Sequence, residues 1–130
     1  MVKENYPHSD VTEMIIGCAM RVHNTLGNGF PEAIYHKALQ IELNKTPLQV
    51  QSEIEKPVYY EGQIIGKRRI DLLINECVIV ELKALALFDP SVNNQVLNYL
   101  EAFSLPVGLL INFGKKRLEF KRFINNKIKD

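Results

Sequence analysis

Two opposite charges, Glu81 and Lys83, close an otherwise apolar run that starts at Cys77. Residues two apart on a β-strand point to the same face of a sheet, so these two side chains are predicted to be neighbours. Burying such charges costs free energy unless they pair with each other or bind a metal ion. The preceding apolar segment contributes Asp71, and a tight turn predicted at residues 75–76 makes the two segments antiparallel neighbours. We therefore expect Asp71 near Glu81 at one end of the sheet.

This set of side chains predicts phosphate chemistry assisted by a metal ion. Two carboxylates on one face suit Mg²⁺, a hard cation that takes oxygen ligands, with Mn²⁺ as a substitute. Such an ion polarises a phosphoryl oxygen and lowers the pKa of a bound water. Lys83 supplies a point charge that orients the attacking water or stabilises charge developing on the phosphate. A purely structural Glu81–Lys83 pair at a sheet edge is the alternative interpretation, and it stays open at this point.

A third carboxylate, Glu32, stands in the first turn of a predicted helix, just after Pro31. A carboxylate there complements the helix dipole, which is a sufficient structural explanation. The functional interpretation is that Glu32 completes the metal shell with the two strand carboxylates. Tyr35 follows three residues later on the same helix face. It is interpreted either as a core aromatic with a hydrogen-bonded hydroxyl or as a substrate contact.

Two further polar positions, Gln95 and Tyr99, lie four residues apart on a later predicted helix and therefore share a face. A glutamine orients a water or contacts a nucleotide, and a tyrosine stacks on a base or binds a phosphate. A solvated polar helix face explains the same spacing. Basic residues cluster at Lys67, Arg68 and Arg69, and again between residues 115 and 129. These clusters are interpreted as solvated surface, or as phosphate contacts if they flank the acidic site.

The elements that must position these residues follow from hydrophobic periodicity. Helical spacing predicts two N-terminal helices, and later segments alternate as half-buried strands or form wholly apolar runs. The expected order is ααβββ(β)αββ, an α/β (α+β) mixed sheet flanked by helices in a single domain spanning residues 1–130. The predicted helices cover residues 11–26, 31–44 and 91–103, and the predicted strands cover 48–55, 58–60, 63–65, 69–74, 77–82, 107–111 and 117–124.

Composition is that of an ordinary globular protein. The chain has 130 residues, of which 46% are hydrophobic and 24% charged, with a formal net charge of +1. Its overall charge therefore does not mark it as a nucleic-acid binder. Cys18 and Cys77 are expected to be buried free thiols, and the three histidines show no zinc-ligand spacing. The polar N-terminus and the lack of a long apolar run predict a cytoplasmic protein without membrane contact.

The sequence resembles the GxxExxY family, a branch of the PD-(D/E)xK nuclease superfamily. Four motifs carry the resemblance, and they occur in the family's order over nearly the whole chain. They are Gly29, Glu32 and Tyr35, then Asp71 in Arg69–Leu73, then Glu81-Leu82-Lys83, then Gln95 and Tyr99-Leu100. Members often carry a histidine ahead of the glutamine, where residues 91–94 here are Ser-Val-Asn-Asn.

The resemblance implies a restriction-endonuclease-like core with the acidic site on the middle strands. By that resemblance Asp71 and Glu81 are metal ligands, Lys83 is the catalytic lysine, Glu32 is a helix-borne carboxylate, and Gln95 is a further site residue. The implied activity is Mg²⁺-dependent hydrolysis of phosphodiester bonds, with nucleic acid as partner, DNA ahead of RNA, and a homodimer as an option. The alternative is a binding module on the same fold, for nucleic acid or protein, that does not cut or needs a partner to do so.

Overall fold

A computed structural model describes residues 7–87 and 89–127, and it contains one five-stranded sheet with helices on both faces. Neighbouring strands follow the chain order from β1 to β5, and only the β3–β4 pair is parallel. The predicted mixed sheet flanked by helices is therefore confirmed. The elements are α1 Ser9–Leu26, α2 Glu32–Leu43, β1 Val50–Tyr60, β2 Gln63–Ile74, β3 Val78–Lys83, α3 Ser91–Ala102, β4 Val107–Asn112 and β5 Glu119–Ile124.

The central strand is β3, which the apolar run predicts. All its residues except Lys83 are buried, because helices cover both faces of the sheet at this strand. A parallel pair requires a crossover connection, and α3 supplies it between β3 and β4.

The core is divided by the sheet into two layers. One layer packs α1 and α2 against β2, β3 and β4, and its largest fully buried side chains include Tyr35, Leu39 and Phe113. The second layer packs α3 against the other face through Val96, Leu100 and neighbouring strand residues. Two layers of helix around a sheet hold the C-terminal end of β3 between α2 on one side and α3 on the other.

The approach of α3 to β4 depends on Gly108. A β-carbon added at this residue would lie 2.7 Å from Cγ1 of Val96 and 3.4 Å from both terminal methyls of Leu100. Val96 is fully buried and β-branched, so it has little freedom to move away. The glycine therefore sets how closely the helix that carries Gln95 lies against the sheet.

A two-stranded arm projects from the sheet, since β2 pairs with β3 only at Leu72, Leu73 and Ile74. The rest of β2 pairs with β1 alone, up to a turn in which Glu61 and Gly62 both have positive φ. This confirms the predicted hairpin. The predicted breaks between strands at residues 56–57 and 66–68 are wrong. Both strands run through these positions. Pro57 is accommodated because β1 is an edge strand, where a missing amide hydrogen breaks no ladder to a further strand.

Neither cysteine forms a disulfide bond in the structure, and the two thiols differ in burial. Cys18 lies fully buried in α1, while Cys77 is only half-buried in the turn before β3, so the prediction of two buried thiols is wrong for Cys77. Within the described ranges, no helix is both long and apolar enough to cross a membrane.

Candidate active site

The ladder between β2 and β3 stops where the acidic residues begin. Leu72 pairs with Val80, and the same register would next place Asp71 opposite Glu81. Instead, the backbone amide of Leu82 donates a hydrogen bond to Oδ2 of Asp71 at 2.9 Å. The aspartate side chain thus replaces a backbone partner at the end of the ladder. This arrangement holds Asp71 beside Glu81, as strand pairing predicts.

Glu81 is the buried charge of the site, with only 3% of its surface exposed. Its Oε2 accepts a hydrogen bond from the side-chain amide of Gln95 at 3.4 Å, while Oε1 has no partner among the described residues. Burial, followed by the nearby Asp71 charge, raises the pKa of Glu81 to about 8, although Lys83 acts in the opposite direction. Glu81 is therefore largely protonated at neutral pH unless a cation is bound beside it.

Gln95 links the helix to the strand. Its amide nitrogen donates to Glu81 Oε2 and also lies 3.1 Å from the hydroxyl of Tyr99, one helical turn further on. Tyr99 is 9% exposed and packs against the ring of Phe103 at 5.6 Å between centroids. The shared face predicted for Gln95 and Tyr99 is therefore present. Its polar groups point to Glu81 rather than to bulk solvent, and Tyr99 supports Gln95 in that position.

Glu32 approaches the site from the start of α2, on the other side of the sheet end. Its side chain is exposed, yet its pKa is raised, mainly because the carboxyl group is partly desolvated. The charge of Lys83 acts to lower this pKa, and the charge of Asp71 acts to raise it. Glu32, Lys83 and Asp71 are thus electrostatic neighbours. In the described part of the chain, however, no three His, Cys, Asp or Glu side chains lie close enough to hold a metal ion. Glu32, Asp71 and Glu81, predicted as metal ligands, therefore do not form a group of three carboxylates in this structure. One oxygen of Asp71, Oδ2, accepts from the amide of Leu82.

Asn112 is a site residue that the sequence analysis missed, and it fixes the chain immediately after Lys83. It pairs with Lys83 across the β3–β4 ladder, and its side chain is buried. Its Oδ1 accepts from the amides of Leu85 at 2.8 Å and Gly114 at 3.0 Å, while its Nδ2 donates to the carbonyl of Leu85 at 3.1 Å. The only sequence signal was a polar residue at the end of an apolar strand, which also fits an ordinary turn.

Tyr35 is a core residue in this structure and offers no surface to a substrate. It is fully buried and stacks on Phe113 with ring centroids 4.6 Å apart. Its hydroxyl donates to the carbonyl of Gly27 at 2.6 Å and accepts from the amide of Phe30 at 3.2 Å. The structure thus supports the first of the two interpretations of Tyr35, a core aromatic with a hydrogen-bonded hydroxyl that closes the loop before α2.

The basic cluster lies on the arm, next to the site. Lys67 pairs with Glu55 at 3.2 Å and Arg69 with Glu53 at 3.4 Å, all on exposed side chains. Exposed pairs of this kind contribute little to stability, so both cations remain available to an anion. Arg69 also lowers the pKa of Glu32, which places the base of the arm beside the acidic residues.

The residues present fit a divalent cation such as Mg²⁺. Oε1 of Glu81 is a buried carboxylate oxygen with no hydrogen-bond partner in the described part of the chain, which is an unfavourable arrangement that a cation would relieve. Asp71 supplies a second carboxylate at the same strand end. Mg²⁺ is commonly bound by one or two carboxylates and completes its shell with waters and substrate phosphates. Two protein carboxylates are therefore sufficient for this ion.

Comparison with known proteins agrees with this architecture. No curated protein is significantly similar to the chain in sequence. The crystal structure of SSO0001 superposes with a TM-score of 0.57 at 22% identity, over 90% of this chain and 59% of that one. That likeness concerns the fold, and this chain spans about three fifths of the length of SSO0001. Residues 9–123 match the family model described as the PD-(D/E)XK nuclease superfamily, and the chain therefore belongs to that superfamily.

Proposed function

We propose that this protein is a Mg²⁺-dependent nuclease of the GxxExxY branch, which hydrolyses phosphodiester bonds of nucleic acid as one domain spanning residues 1–130. The observation that supports it most is the buried Glu81. Its Oε1 has no hydrogen-bond partner among the described residues, and the charges of Asp71 and Lys83 both act on its carboxyl group. A buried, hydrogen-bond-deficient carboxylate destabilises a fold, so its presence at a strand end indicates a functional site rather than a structural ion pair.

In this proposal Asp71 and Glu81 hold the cation, with Mn²⁺ able to replace Mg²⁺. The bound ion supplies polarisation of a phosphoryl oxygen and a lower pKa for a water. Lys83 places its charge where negative charge develops on the phosphate and donates hydrogen bonds to it. Gln95 holds Oε2 of Glu81, which leaves Oε1 for the cation. Glu32 adds a second acceptor near Lys83 and helps to orient its ammonium group.

The substrate backbone is proposed to lie along the base of the arm, against Lys67, Arg68 and Arg69. Arg69 lies two residues before Asp71 on β2 and its charge acts on Glu32, so a phosphate bound by Arg69 lies close to the acidic residues. Phosphate contacts are independent of base sequence, and they position a strand rather than select it. DNA is the proposed substrate ahead of RNA.

The test is a cleavage assay on labelled single-stranded, duplex and branched DNA and RNA, each with Mg²⁺, with Mn²⁺ and with EDTA. Wild type is compared with Lys83→Ala, and with Lys37→Ala as a matched control on an exposed face of α2. We expect metal-dependent cleavage that Lys83→Ala abolishes and Lys37→Ala retains.

The proposal fails if folded wild-type protein cleaves none of these substrates, or if Lys83→Ala cleaves them as fast as wild type. Nucleic-acid binding that persists in EDTA without any product would instead identify a binding module on the same fold. Circular dichroism of each variant checks that the fold is intact.

A further inference from the structure

The turn between β4 and β5, residues 113–118, lies at the same end of the sheet as the proposed active site. Lys83 pairs with the last residue of β4 across the parallel ladder, and its carbonyl accepts a hydrogen bond from the amide of Phe113 at 2.8 Å. The ring of Phe113 stacks on Tyr35, which follows Glu32 by three residues on α2. The start of the turn is therefore fixed relative to both Lys83 and Glu32.

The middle and the end of this turn are also held in place. The imidazole Nε2 of His23, near the end of α1, donates a hydrogen bond to the carbonyl of Lys115 at 2.9 Å. Leu118 is half-buried and packs against the core layer formed with α1 and α2. Between these two anchors the turn carries Lys116 and Arg117, and both side chains are exposed.

The two exposed cations of the turn carry positive charge that the protein does not compensate. Neither Lys116 nor Arg117 has a salt bridge or a side-chain hydrogen bond with any residue in the ranges 7–87 and 89–127. Glu119, just after the turn, is already bound by Lys115 at 3.4 Å and accepts from the amide of Asn112 at 3.4 Å. Both cations are therefore available to an anion from outside.

A groove of about 310 Å³ lies beside these cations, between the end of α1 and the turn. It is lined by Met20, His23, Asn24, Lys116, Arg117 and Leu118. Among the described residues, no aspartate or glutamate lines this groove, so no carboxylate there repels an anion. Lysine and arginine are the usual partners of phosphate, lysine as a point charge and arginine through paired hydrogen bonds. The groove therefore suits a phosphate group.

We propose that Lys116 and Arg117 bind a backbone phosphate of the nucleic-acid strand, on the far side of the acidic residues from the arm. This inference rests on the proposed nuclease function and gives the course of its substrate, from Arg69 at the base of the arm, past Lys83, to the turn. In the strand order, β2 and the β4–β5 turn are two to three strands apart, which is roughly 10–14 Å. At about 3.4 Å per nucleotide of a helical strand, the two bound phosphates are about three to four nucleotides apart.

The experiment measures binding of a labelled single-stranded DNA of about twelve nucleotides by fluorescence anisotropy, in EDTA and over a range of salt. The double variant Lys116→Ala/Arg117→Ala removes the turn cations. The matched control, Lys45→Ala/Lys127→Ala, removes the same charge from exposed lysines beyond the ends of α2 and β5, at the opposite end of the sheet.

The turn variant should lower the slope of log binding constant against log salt by about 0.7–1.4, as expected for one or two phosphate contacts, and should weaken binding about 5–25-fold at about 0.1 M salt. The control should change binding much less. All four substitutions are at exposed side chains, and circular dichroism checks that the fold is intact.

Equal weakening by the two double variants would overturn the inference, because net charge and not the turn would then be responsible. It is also overturned if wild type does not bind the DNA, or if polyglutamate of equal charge displaces the DNA as well as unlabelled DNA does. Since no cleavage is measured, a turn variant that loses binding in a protein that never cuts would sink the nuclease proposal alone. A protein that cuts but binds DNA equally well without the turn cations would sink only the turn assignment.

Discussion

Asp71 supplies to Leu82 the hydrogen bond that a neighbouring strand would otherwise supply, with 2.9 Å between Oδ2 and the backbone nitrogen. In the proposed function, one carboxylate therefore has a structural role and a chemical role at the same strand end. The structural task needs only an oxygen acceptor, whereas binding a cation needs the negative charge. The two tasks can be separated by substitution.

Asp71→Asn should fold with nearly wild-type stability, because the amide oxygen can still accept from Leu82, but it should lose metal-dependent cleavage. Asp71→Ala should lose cleavage and also about 1–3 kcal/mol of unfolding free energy, since the Leu82 amide then lacks its acceptor. Urea unfolding in EDTA and cleavage in Mg²⁺ measure the two effects. Equal destabilisation by both substitutions would show that the hydrogen bond is not what Asp71 contributes to the fold.

The position of Asp71 next to Glu81 was predictable, because strand period and a tight turn determine which residues face each other. The central strand was equally predictable, since a continuous apolar run has few other locations in a mixed sheet. The arm was not. From sequence alone, Pro57 predicts the end of a strand. A proline is tolerated within β1 only because β1 is an edge strand of the sheet.

Site details that depend on tertiary packing were also beyond prediction. Periodicity shows that Glu81 and Lys83 share a face. It does not show that Glu81 is buried with one oxygen that has no hydrogen-bond partner among residues 7–87 and 89–127. The role of Asn112 depends on a loop folding back over Gly114, where any β-carbon would collide with the backbone of residues 84–85. From sequence, a glycine that only ends a strand cannot be distinguished from one that makes room for a loop packed against it.

The buried Glu81 makes the metal-free protein less stable as pH rises. Its pKa of about 8 lies above the value of 4.5 for a free glutamate, so the folded state binds the proton more tightly than the unfolded state. The stabilisation from this proton is complete below pH 4.5 and is lost as pH increases through 8. Between pH 5 and pH 9 the loss is on the order of 4 kcal/mol.

Glu81→Gln removes this titration. In EDTA, its urea midpoint of unfolding should therefore nearly equal that of wild type at pH 5 and exceed it at pH 9. Glu76→Gln, a change at an exposed turn carboxylate, is the control and should follow wild type at both pH values. If the advantage of Glu81→Gln is the same at pH 5 and pH 9, Glu81 does not titrate in this range.

Gln95 is expected to act by holding Glu81 in place. Gln95→Leu keeps the side-chain size but leaves Oε2 of Glu81 and the Tyr99 hydroxyl without this partner. Removing such a supporting hydrogen bond should lower cleavage or Mg²⁺ affinity about 10–100-fold. Asn98→Leu, on an exposed position of the same helix, should cleave normally. A Gln95→Leu variant with unchanged Mg²⁺ dependence would exclude a role of Gln95 in positioning the ligand.

The arm is expected to make its contribution by binding phosphates of the substrate. Removing one cation that neutralises a phosphate should reduce the slope of log binding constant against log salt by about 0.7–0.9. Arg68→Ala should therefore weaken binding of single-stranded DNA and lower this slope by the amount expected for a single phosphate, while Lys37→Ala should change neither. Fluorescence anisotropy between low and moderate salt measures both quantities. A salt response identical to that of wild type would show that Arg68 does not touch the backbone.

Gly108 provides a test of how strictly α3 must be placed. Gly108→Ala puts a methyl group 2.7 Å from Cγ1 of the buried Val96, and overpacking of this kind costs about 1–3 kcal/mol of unfolding free energy.

Gly17→Ala is the opposite case, since the nearest atom to its new methyl, 3.9 Å away, is the flexible end of Arg21. In the interior of α1 it should stabilise the protein by about 0.5–1 kcal/mol. Because Gln95 is carried by α3, Gly108→Ala should also reduce cleavage, and Gly17→Ala should not. If both variants were equally stable and equally active, the close approach at Gly108 would not be what positions α3.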